Sequence, residues 1–233
     1  MAFKGLFIGI DRYASPGIEW LSCSGRDAMA LHALFTDTLG GDTTLLMDEQ
    51  ATLGSIREKF EHLATVDPDD VVVIGFSGHG TETHELVAYD TEPFNLANTT
   101  LPLTTLGEWC ARIPARRLLI ILDCCFSGGM GAKAIQAETR PRDIQSVDAK
   151  LDGISGTGRI ILTASGPTEK AWEVIRLGHS LLTWHLLEAL KGPAEIRQGD
   201  RLGLLGLLDY VTKRVVDGAL GGCWLCVRRS IWG

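Results

Sequence analysis

The chain has 233 residues, of which 45% are apolar and 22% are charged, and its formal net charge is −7. This composition is typical of a globular domain and excludes intrinsic disorder as the main state. The acidic balance argues against a protein that coats nucleic acid or anionic lipid. The longest uninterrupted apolar runs, such as Leu118–Leu122, are far shorter than the roughly 18–20 residues of a membrane span, and no secretory signal is evident. The sequence therefore predicts a cytoplasmic protein that contacts neither membrane nor nucleic acid.

Short β-rich runs alternate with amphipathic runs along the chain. Strands are predicted at Phe3–Ile10, Thr43–Met47, Val71–Phe76, Leu86–Tyr89, Leu118–Leu122, Arg159–Ala164 and Cys223–Val227. Helical spacing of apolar residues predicts helices at Ser24–Leu39, Leu53–Leu63, Thr105–Arg112, Ser180–Leu190 and Leu204–Val216. Ser24 is predicted to cap the first helix, and Gly40–Gly41 to end it. The alternation predicts an α/β fold of three layers, a mostly parallel central sheet with helices on both faces.

Residues 129–157 form the one stretch without periodicity. This stretch is rich in Gly, Ser and Asp and holds the basic residues Lys133, Arg140, Arg142 and Lys150. It is predicted to be a long exposed loop between two strands, and loops of that length inside a domain are usually functional or mobile. A simple disordered insertion is the alternative.

The six cysteines do not form an evident disulfide framework. In a reducing compartment the expectation is buried free thiols, of which one could be reactive. Cys223 and Cys226 have the spacing of metal ligands, but no second pair of Cys or His residues accompanies them. The alternation of residues there favours a strand, and no metal site is predicted.

Two of the buried strands are followed by chemically reactive residues. Ser77–Gly80 follows the third strand and places His79 between glycines, and Asp123–Gly129 follows the fifth and contains Cys124 and Cys125. Sites in open α/β sheets lie beyond the carboxyl ends of parallel strands, so the imidazole and a thiol are expected to face each other if the strands are neighbours. A thiol with a pKa near 8.5 needs a base to become a nucleophile at neutral pH, and a nearby His supplies it. The backbone N–H groups of Gly80 and Cys125 are the candidate donors to an oxyanion.

The segments SGHG (Ser77–Gly80) and DCCFSG (Asp123–Gly128) resemble the His and Cys motifs of the caspase-like cysteine peptidases, and are most similar to the bacterial homologues related to metacaspases and orthocaspases. His79 lies 46 residues before Cys125, close to the roughly 50 of the caspase signature. Further resemblance is found in LFIGIDRY (Leu6–Tyr13), LSCSGRDA (Leu21–Ala28), Thr163–Ser165 and GHSLLTWHLLEAL (Gly178–Leu190), so that it extends from about Phe3 to Val216.

The resemblance implies a three-layer caspase-like fold and a single peptidase domain over residues 1–233. Within it, residues 1–128 resemble the large subunit, residues 129–157 form the exposed loop, and residues 158–233 resemble the small subunit. It also implies a cysteine endopeptidase with His79 as general base. In the family the nucleophile stands two residues after the Asp, which is Cys125 here, with its neighbour Cys124 as the alternative.

The same resemblance implies a pocket for a basic substrate residue. Metacaspase-like enzymes place acids in the pocket that binds the residue before the scissile bond, and these acids match Asp123 and Asp27. Two partly desolvated carboxylates favour Arg or Lys, so cleavage after a basic residue is expected. Arg26 beside Asp27 complicates this expectation, because it could neutralise that acid or support a pocket for an acidic side chain. Arg140, Arg142 and Lys150 would then be candidate self-cleavage sites, with an ordinary solvated loop as the alternative.

No cofactor is predicted. Metacaspases often carry an acidic insertion after the catalytic His that accompanies calcium dependence, but Thr81–Glu85 is short and no EF-hand loop is present. The expected partner is a protein or peptide substrate.

Two other hypotheses compete with the assignment as a peptidase. One is a caspase-like interaction module that stays latent or inactive until a partner protein binds. The other is a nucleotide-binding domain, but Gly128–Lys133 lacks the spacing of a phosphate-binding loop. The resemblance itself implies roles in bacterial stress, defence or programmed cell death.

Overall fold

The computed structural model describes residues 1–124, 126, 158–164, 173–174, 177–198, 201–202, 204–218 and 226–229. Its strands are β1 (Phe3–Gly9), β2 (Asp42–Met47), β3 (Val71–Ser77), β4 (Glu85–Val87), β5 (Thr100–Pro102), β6 (Arg117–Asp123), β7 (Arg159–Thr163), β8 (Glu173–Val174), β9 (His179–Ser180), β10 (Arg197–Gln198), β11 (Arg201–Leu202) and β12 (Cys226–Arg229). Its α-helices are α1 (Ser24–Leu39), α2 (Leu53–Leu63), α3 (Leu96–Thr99), α4 (Leu103–Ala111), α5 (Leu181–Leu190) and α6 (Leu204–Gly218), and Asp48–Gln50 forms a turn of 3-10 helix. No helix within these described ranges has the length and apolar character needed to cross a membrane.

Six strands form the central sheet in the order β12-β7-β6-β3-β1-β2. The pairs β1–β2, β1–β3, β3–β6 and β6–β7 are parallel, and only the edge strand β12 is antiparallel to its neighbour. Ser77 at the end of β3 is paired with Gly9 at the end of β1 and with Asp123 at the end of β6. The carboxyl ends of the three central strands therefore meet at one edge, and the expected mostly parallel sheet is confirmed.

Apolar side chains alternate between the two faces of the sheet and build two cores. On one face Ile8, Ile74 and Ile120 pack with residues of α2 and α4. On the other face Phe7, Val73 and Ile121 pack with residues of α1, α5 and α6. Both faces of β3 are therefore buried. Strands of this kind carry few polar residues, which accounts for the run of β-branched residues in β3. The arrangement is the expected three-layer α/β architecture.

Helix α1 begins where it was expected to, but Ser24 does not cap it. Cys23 precedes the helix without a capping side chain. Instead, Asp11 accepts hydrogen bonds from the backbone N–H of Ser24 (2.8 Å) and of Gly25 (3.1 Å). The prediction was wrong because the capping carboxylate lies 13 residues earlier in the chain, beyond the local pattern used to find caps. At the other end Gly40 adopts the left-handed conformation (φ 60°), as its position after the helix predicted.

A small hairpin stands apart from the central sheet. The predicted strand at Leu86–Tyr89 is β4, and it pairs antiparallel with β5. Gly80 forms an isolated antiparallel bridge with Leu86, so that the hairpin continues the chain that follows β3. Strand β5 was not predicted, because three residues that end in a proline give no periodic signal.

Candidate active site

His79 lies two residues beyond the end of β3 and is buried, with 5% of its surface exposed. Its backbone N–H donates to the Tyr13 hydroxyl at 2.9 Å, and its Nε2 lies 2.9 Å from the backbone carbonyl oxygen of Glu19. A carbonyl oxygen only accepts, so Nε2 carries the proton in this contact. When such a ring is neutral its lone pair is on Nδ1, which is the tautomer that a base acting through Nδ1 requires.

Tyr13 fixes the position of this histidine. The Tyr13 hydroxyl donates to the carbonyl oxygen of Ile10 at 3.3 Å, and its ring centroid lies 5.3 Å from that of His79. Burial raises the pKa of Tyr13 well above its ordinary value, so the hydroxyl stays protonated. Sequence reasoning missed the roles of Tyr13 and Glu19 in holding His79. Glu19 acts through its main chain, and side-chain patterns carry no signal for such a contact.

Asp27 lies in the first turn of α1, and only 1% of its surface is exposed. Its Oδ1 is 2.7 Å from Nδ1 of His179, and its Oδ2 accepts from the Ser77 hydroxyl at 3.4 Å. The backbone N–H of Ser180 donates to both carboxylate oxygens, at 3.2 and 3.3 Å. Residues from β3 and from β9 therefore converge on this one carboxylate.

Asp123 is the last residue of β6 and is also buried, with 6% of its surface exposed. Its Oδ2 accepts hydrogen bonds from the Thr183 hydroxyl at 2.9 Å and from the Ser180 hydroxyl. Because Ser180 also donates its N–H to Asp27, the two acids meet at one residue. The structure thus brings Asp27 and Asp123 together. The sequence had placed Ser180 and Thr183 in a similar segment without assigning them a role.

Two basic side chains lie near Asp27: His179 contacts its carboxylate, and Arg26 precedes it in the sequence. Burial, followed by the charges of Arg26 and Lys191, lowers the pKa of His179. Because a carboxylate oxygen accepts, Nδ1 of His179 carries the proton in its contact with Asp27. Arg26 itself is exposed, and its guanidinium donates to the carbonyl oxygen of Ser22 at 3.0 Å.

Cys125 lies outside the described residues, but both of its neighbours are described. Cys124 and Phe126 are each 1% exposed and belong to the core on the α2 and α4 face. The Phe126 ring packs edge-on against His84, with 5.9 Å between ring centroids. The backbone on both sides of Cys125 is therefore anchored by buried side chains at the carboxyl edge of the sheet.

Several other predicted residues also lie outside the described parts of the chain. These are the candidate self-cleavage sites Arg140, Arg142 and Lys150, and Cys223 of the predicted last strand. The described part of that strand, Cys226 and Val227, belongs to β12, which continues to Arg229. After His79, the Glu85 carboxylate accepts from the hydroxyls of Thr81 (3.2 Å) and Thr83 (3.1 Å). In the described ranges no three His, Cys, Asp or Glu side chains are grouped so as to hold a metal ion.

Comparison with known proteins identifies this architecture. Among solved structures, the chain is similar to protein GSU0716 from Geobacter sulfurreducens, with a TM-score of 0.69 at 14% identity over 100% of this chain and 95% of that one. It is also similar to caspase-1 from Spodoptera frugiperda, with a TM-score of 0.66 at 15% identity over 97% of this chain and 86% of that one. No curated protein matches the sequence. Residues 3–223 match the caspase domain of peptidase family C14, and the chain therefore belongs to the caspase-domain family of peptidases.

Proposed function

We propose that this protein is a cysteine endopeptidase that uses His79 and Cys125 to hydrolyse peptide bonds after Arg or Lys. One observation carries the proposal. β3 and β6 are neighbouring parallel strands in which Ser77 is paired with Asp123, and His79 and Cys125 each follow this pair by two residues. The substrate would be a protein or a peptide, and the reduced thiol that the reaction needs fits a cytoplasmic location.

The reaction begins with transfer of the Cys125 thiol proton to Nδ1 of His79. The thiolate attacks the carbonyl carbon of the scissile bond, and the backbone N–H groups of Gly80 and Cys125 donate to the oxyanion that forms. Collapse of this tetrahedral species breaks the C–N bond, and His79 returns the proton to the departing amine. A water molecule then gives a proton to His79 while its oxygen attacks the carbonyl carbon of the thioester. The C–S bond breaks, His79 returns the proton to the thiolate of Cys125, and the carboxylic acid product is released.

The two buried carboxylates support a basic residue before the scissile bond. Asp27 and Asp123 converge on Ser180 at the same edge of the sheet as His79. A carboxylate attracts an opposite charge most strongly where water is excluded, and both acids are at most 6% exposed. An Arg or Lys side chain is therefore favoured over an acidic or apolar one.

A panel of fluorogenic peptides that differ only at the residue before the scissile bond tests this proposal. We expect turnover of the Arg and Lys peptides and none of the Asp peptide. Cys125→Ala should lower kcat by about 10⁴-fold or more, and His79→Ala by about 10²- to 10⁴-fold. Turnover of the Asp peptide alone would overturn the proposed specificity. Turnover is also measured in the presence of a calcium chelator to test for calcium dependence, and we expect it to be unchanged.

The matched variant Cys124→Ala separates the two adjacent thiols. Cys124 is buried in the core, and alanine fills nearly the same space, so we expect Cys124→Ala to remain active. Loss of activity in Cys124→Ala with retention in Cys125→Ala would assign the nucleophile to Cys124 instead.

Self-cleavage is a second consequence of a basic specificity. Arg140, Arg142 and Lys150 lie in the stretch that the sequence predicts to be an exposed loop, where a peptide bond would be accessible. Purified wild-type protein and Cys125→Ala are compared on a denaturing gel over time. Fragments that end at these residues, in the wild type alone, are expected. Identical intact bands would discard the idea.

A latent interaction module is the second candidate function. It is favoured by the burial of His79, Asp27 and Asp123, none of which has more than 6% of its surface exposed in this state. If a partner must open the site, the purified protein will not turn over basic peptides, but it will do so when cell lysate is added. Cys125→Ala with the same lysate is the control, and equal turnover in both mixtures would reject the latent module.

A further inference from the structure

We infer that Ser180 is the positioning residue that holds both acids of the basic pocket in place. This inference rests on the proposed function and names a determinant of its specificity. Ser180 lies 153 positions from Asp27 and 57 from Asp123 in the sequence, yet it contacts both. It stands immediately before helix α5 and is itself buried.

Ser180 uses both its backbone N–H and its hydroxyl in these contacts. Its N–H donates to Asp27 and its hydroxyl donates to Asp123. The same hydroxyl accepts from the backbone N–H of Thr183 at 3.0 Å, which is the capping bond of α5. A hydroxyl that both donates and accepts cannot rotate without breaking a bond. The position of the Asp123 carboxylate is therefore fixed relative to the helix.

Helix α5 gives this arrangement a rigid base. Leu181, Leu182, Leu186 and Ala189 are buried in the core shared with α1 and α6. The Thr183 hydroxyl supplies a second donor to the same oxygen of Asp123, at 2.9 Å. Two donors from one helical turn orient the carboxylate more strictly than either would alone.

Hydrogen-bond donors also favour the charged form of a carboxylate. Two carboxylates in a water-poor site repel each other, and burial disfavours their charged forms. Hydrogen bonds to the charged form oppose both effects. Without the Ser180 hydroxyl, Asp123 loses a donor and the fixed orientation. A basic substrate side chain then meets a weaker and less well placed charge, which weakens binding more than it slows the bond-breaking step.

Steady-state kinetics on an Arg peptide test the role of Ser180. Loss of a hydrogen bond to a buried charge should raise KM about 10- to 100-fold in Ser180→Ala. We expect kcat to stay within about threefold, because the bonds of the hydroxyl are to Asp123 and to the Thr183 N–H. Thr183→Val keeps its shape and removes only the second donor, so a smaller rise in KM is expected. Ser180→Thr retains the hydroxyl and should restore most of the wild-type KM.

Thr52→Ala is the matched control, because Thr52 caps helix α2 through the same kind of bond, from the Ser55 N–H at 3.1 Å. It removes a cap without touching either acid. An unchanged KM in Ser180→Ala, or an equal rise in Thr52→Ala, would overturn the role of Ser180. If Ser180→Ala does not fold, Ser180→Gly takes its place, because glycine is tolerated at an N-cap and also lacks the hydroxyl, and an unchanged KM there overturns the role. If the wild type cleaves no basic peptide, the proposed function itself fails, which is a different result.

Discussion

Asp11 binds the first turn of α1 from outside the helix. Its two carboxylate oxygens accept from the N–H groups of Ser24 and Gly25, which have no partner within the helix. A negative charge at this end also interacts favourably with the helix dipole. Asp11 thereby ties the chain after β1 to the helix that carries Asp27.

Replacement of Asp11 tests this role. We expect Asp11→Ala to lower the free energy of unfolding by about 1–2 kcal/mol, the usual effect of losing a helix cap. Urea denaturation measures it. Asp37→Ala is the control, because Asp37 is exposed near the other end of the same helix. Equal losses in the two variants would contradict the capping role.

The Cys110 thiol illustrates how burial controls reactivity. Cys110 is fully buried in the core against the sheet, and burial raises its pKa to about 12. At pH 8 only about one such thiol in 10⁴ is ionised, and the thiolate is the reactive form. Cys110 should therefore not contribute to the chemistry of the candidate site.

Alkylation followed by peptide mass spectrometry checks this expectation. At pH 8 iodoacetamide should leave Cys110 unmodified in the native protein and modify it fully in urea. Rapid labelling of Cys110 in the folded protein would show that this part of the core opens readily.

At the scale of elements, the contact between β1 and α1 depends on a glycine. A Cβ at Gly9 would lie 2.4 Å from the carbonyl oxygen of Ser24 and 2.7 Å from Cβ of Ala28. The strand end and the helix start are therefore in backbone contact, which only glycine permits. Asp27 lies in this part of the helix, so the same contact fixes the position of Asp27 relative to the sheet.

Two glycine substitutions with opposite expected effects test this contact. Gly9→Ala must displace backbone atoms, and we expect it to lower the free energy of unfolding by about 1–3 kcal/mol. Gly54→Ala lies on the exposed side of α2, where a Cβ would meet only the Thr52 hydroxyl at 4.0 Å. That change should raise stability by about 0.5–1 kcal/mol. Chemical denaturation of both variants measures the difference, and a neutral Gly9→Ala would refute the close contact.

At the scale of the whole molecule, stability should decrease in mildly acidic solution. Burial lowers the pKa of His179 and of His185, with a further contribution from the Arg214 charge at His185. Both pKa values lie below the ordinary 6.5 or so, so the unfolded chain takes up protons first. Their contribution to stability is complete above about pH 6.5 and is lost as the pH falls through the lower, folded-state values.

Urea denaturation at pH 7.5 and pH 5.5 measures this loss. The variant His185→Gln should lose less stability than the wild type between the two pH values. His62→Gln is the control, because the His62 side chain is exposed. A wild type and a His185→Gln variant with the same pH dependence would exclude His185 as a source.

Much of the architecture could be predicted because it follows from local patterns. The helix Leu53–Leu63 was predicted with its observed bounds, because apolar residues recur there at helical spacing. The inner strands β1, β3 and β6 were predicted because apolar runs are typical of strands buried on both faces. The short strands β5 and β8 to β11 were missed, since two or three residues carry no periodic signal.

The sequence by itself determined the layer architecture, the family and the candidate groups His79, Cys125, Asp27 and Asp123, because strand patterns and motif residues are local. Only the tertiary structure decided that Asp27 and Asp123 meet at Ser180, that a main-chain oxygen of Glu19 holds His79, and that Asp11 caps α1. These contacts join residues far apart in the chain and depend on strand register and helix packing. A linear pattern of residue types carries no information about either.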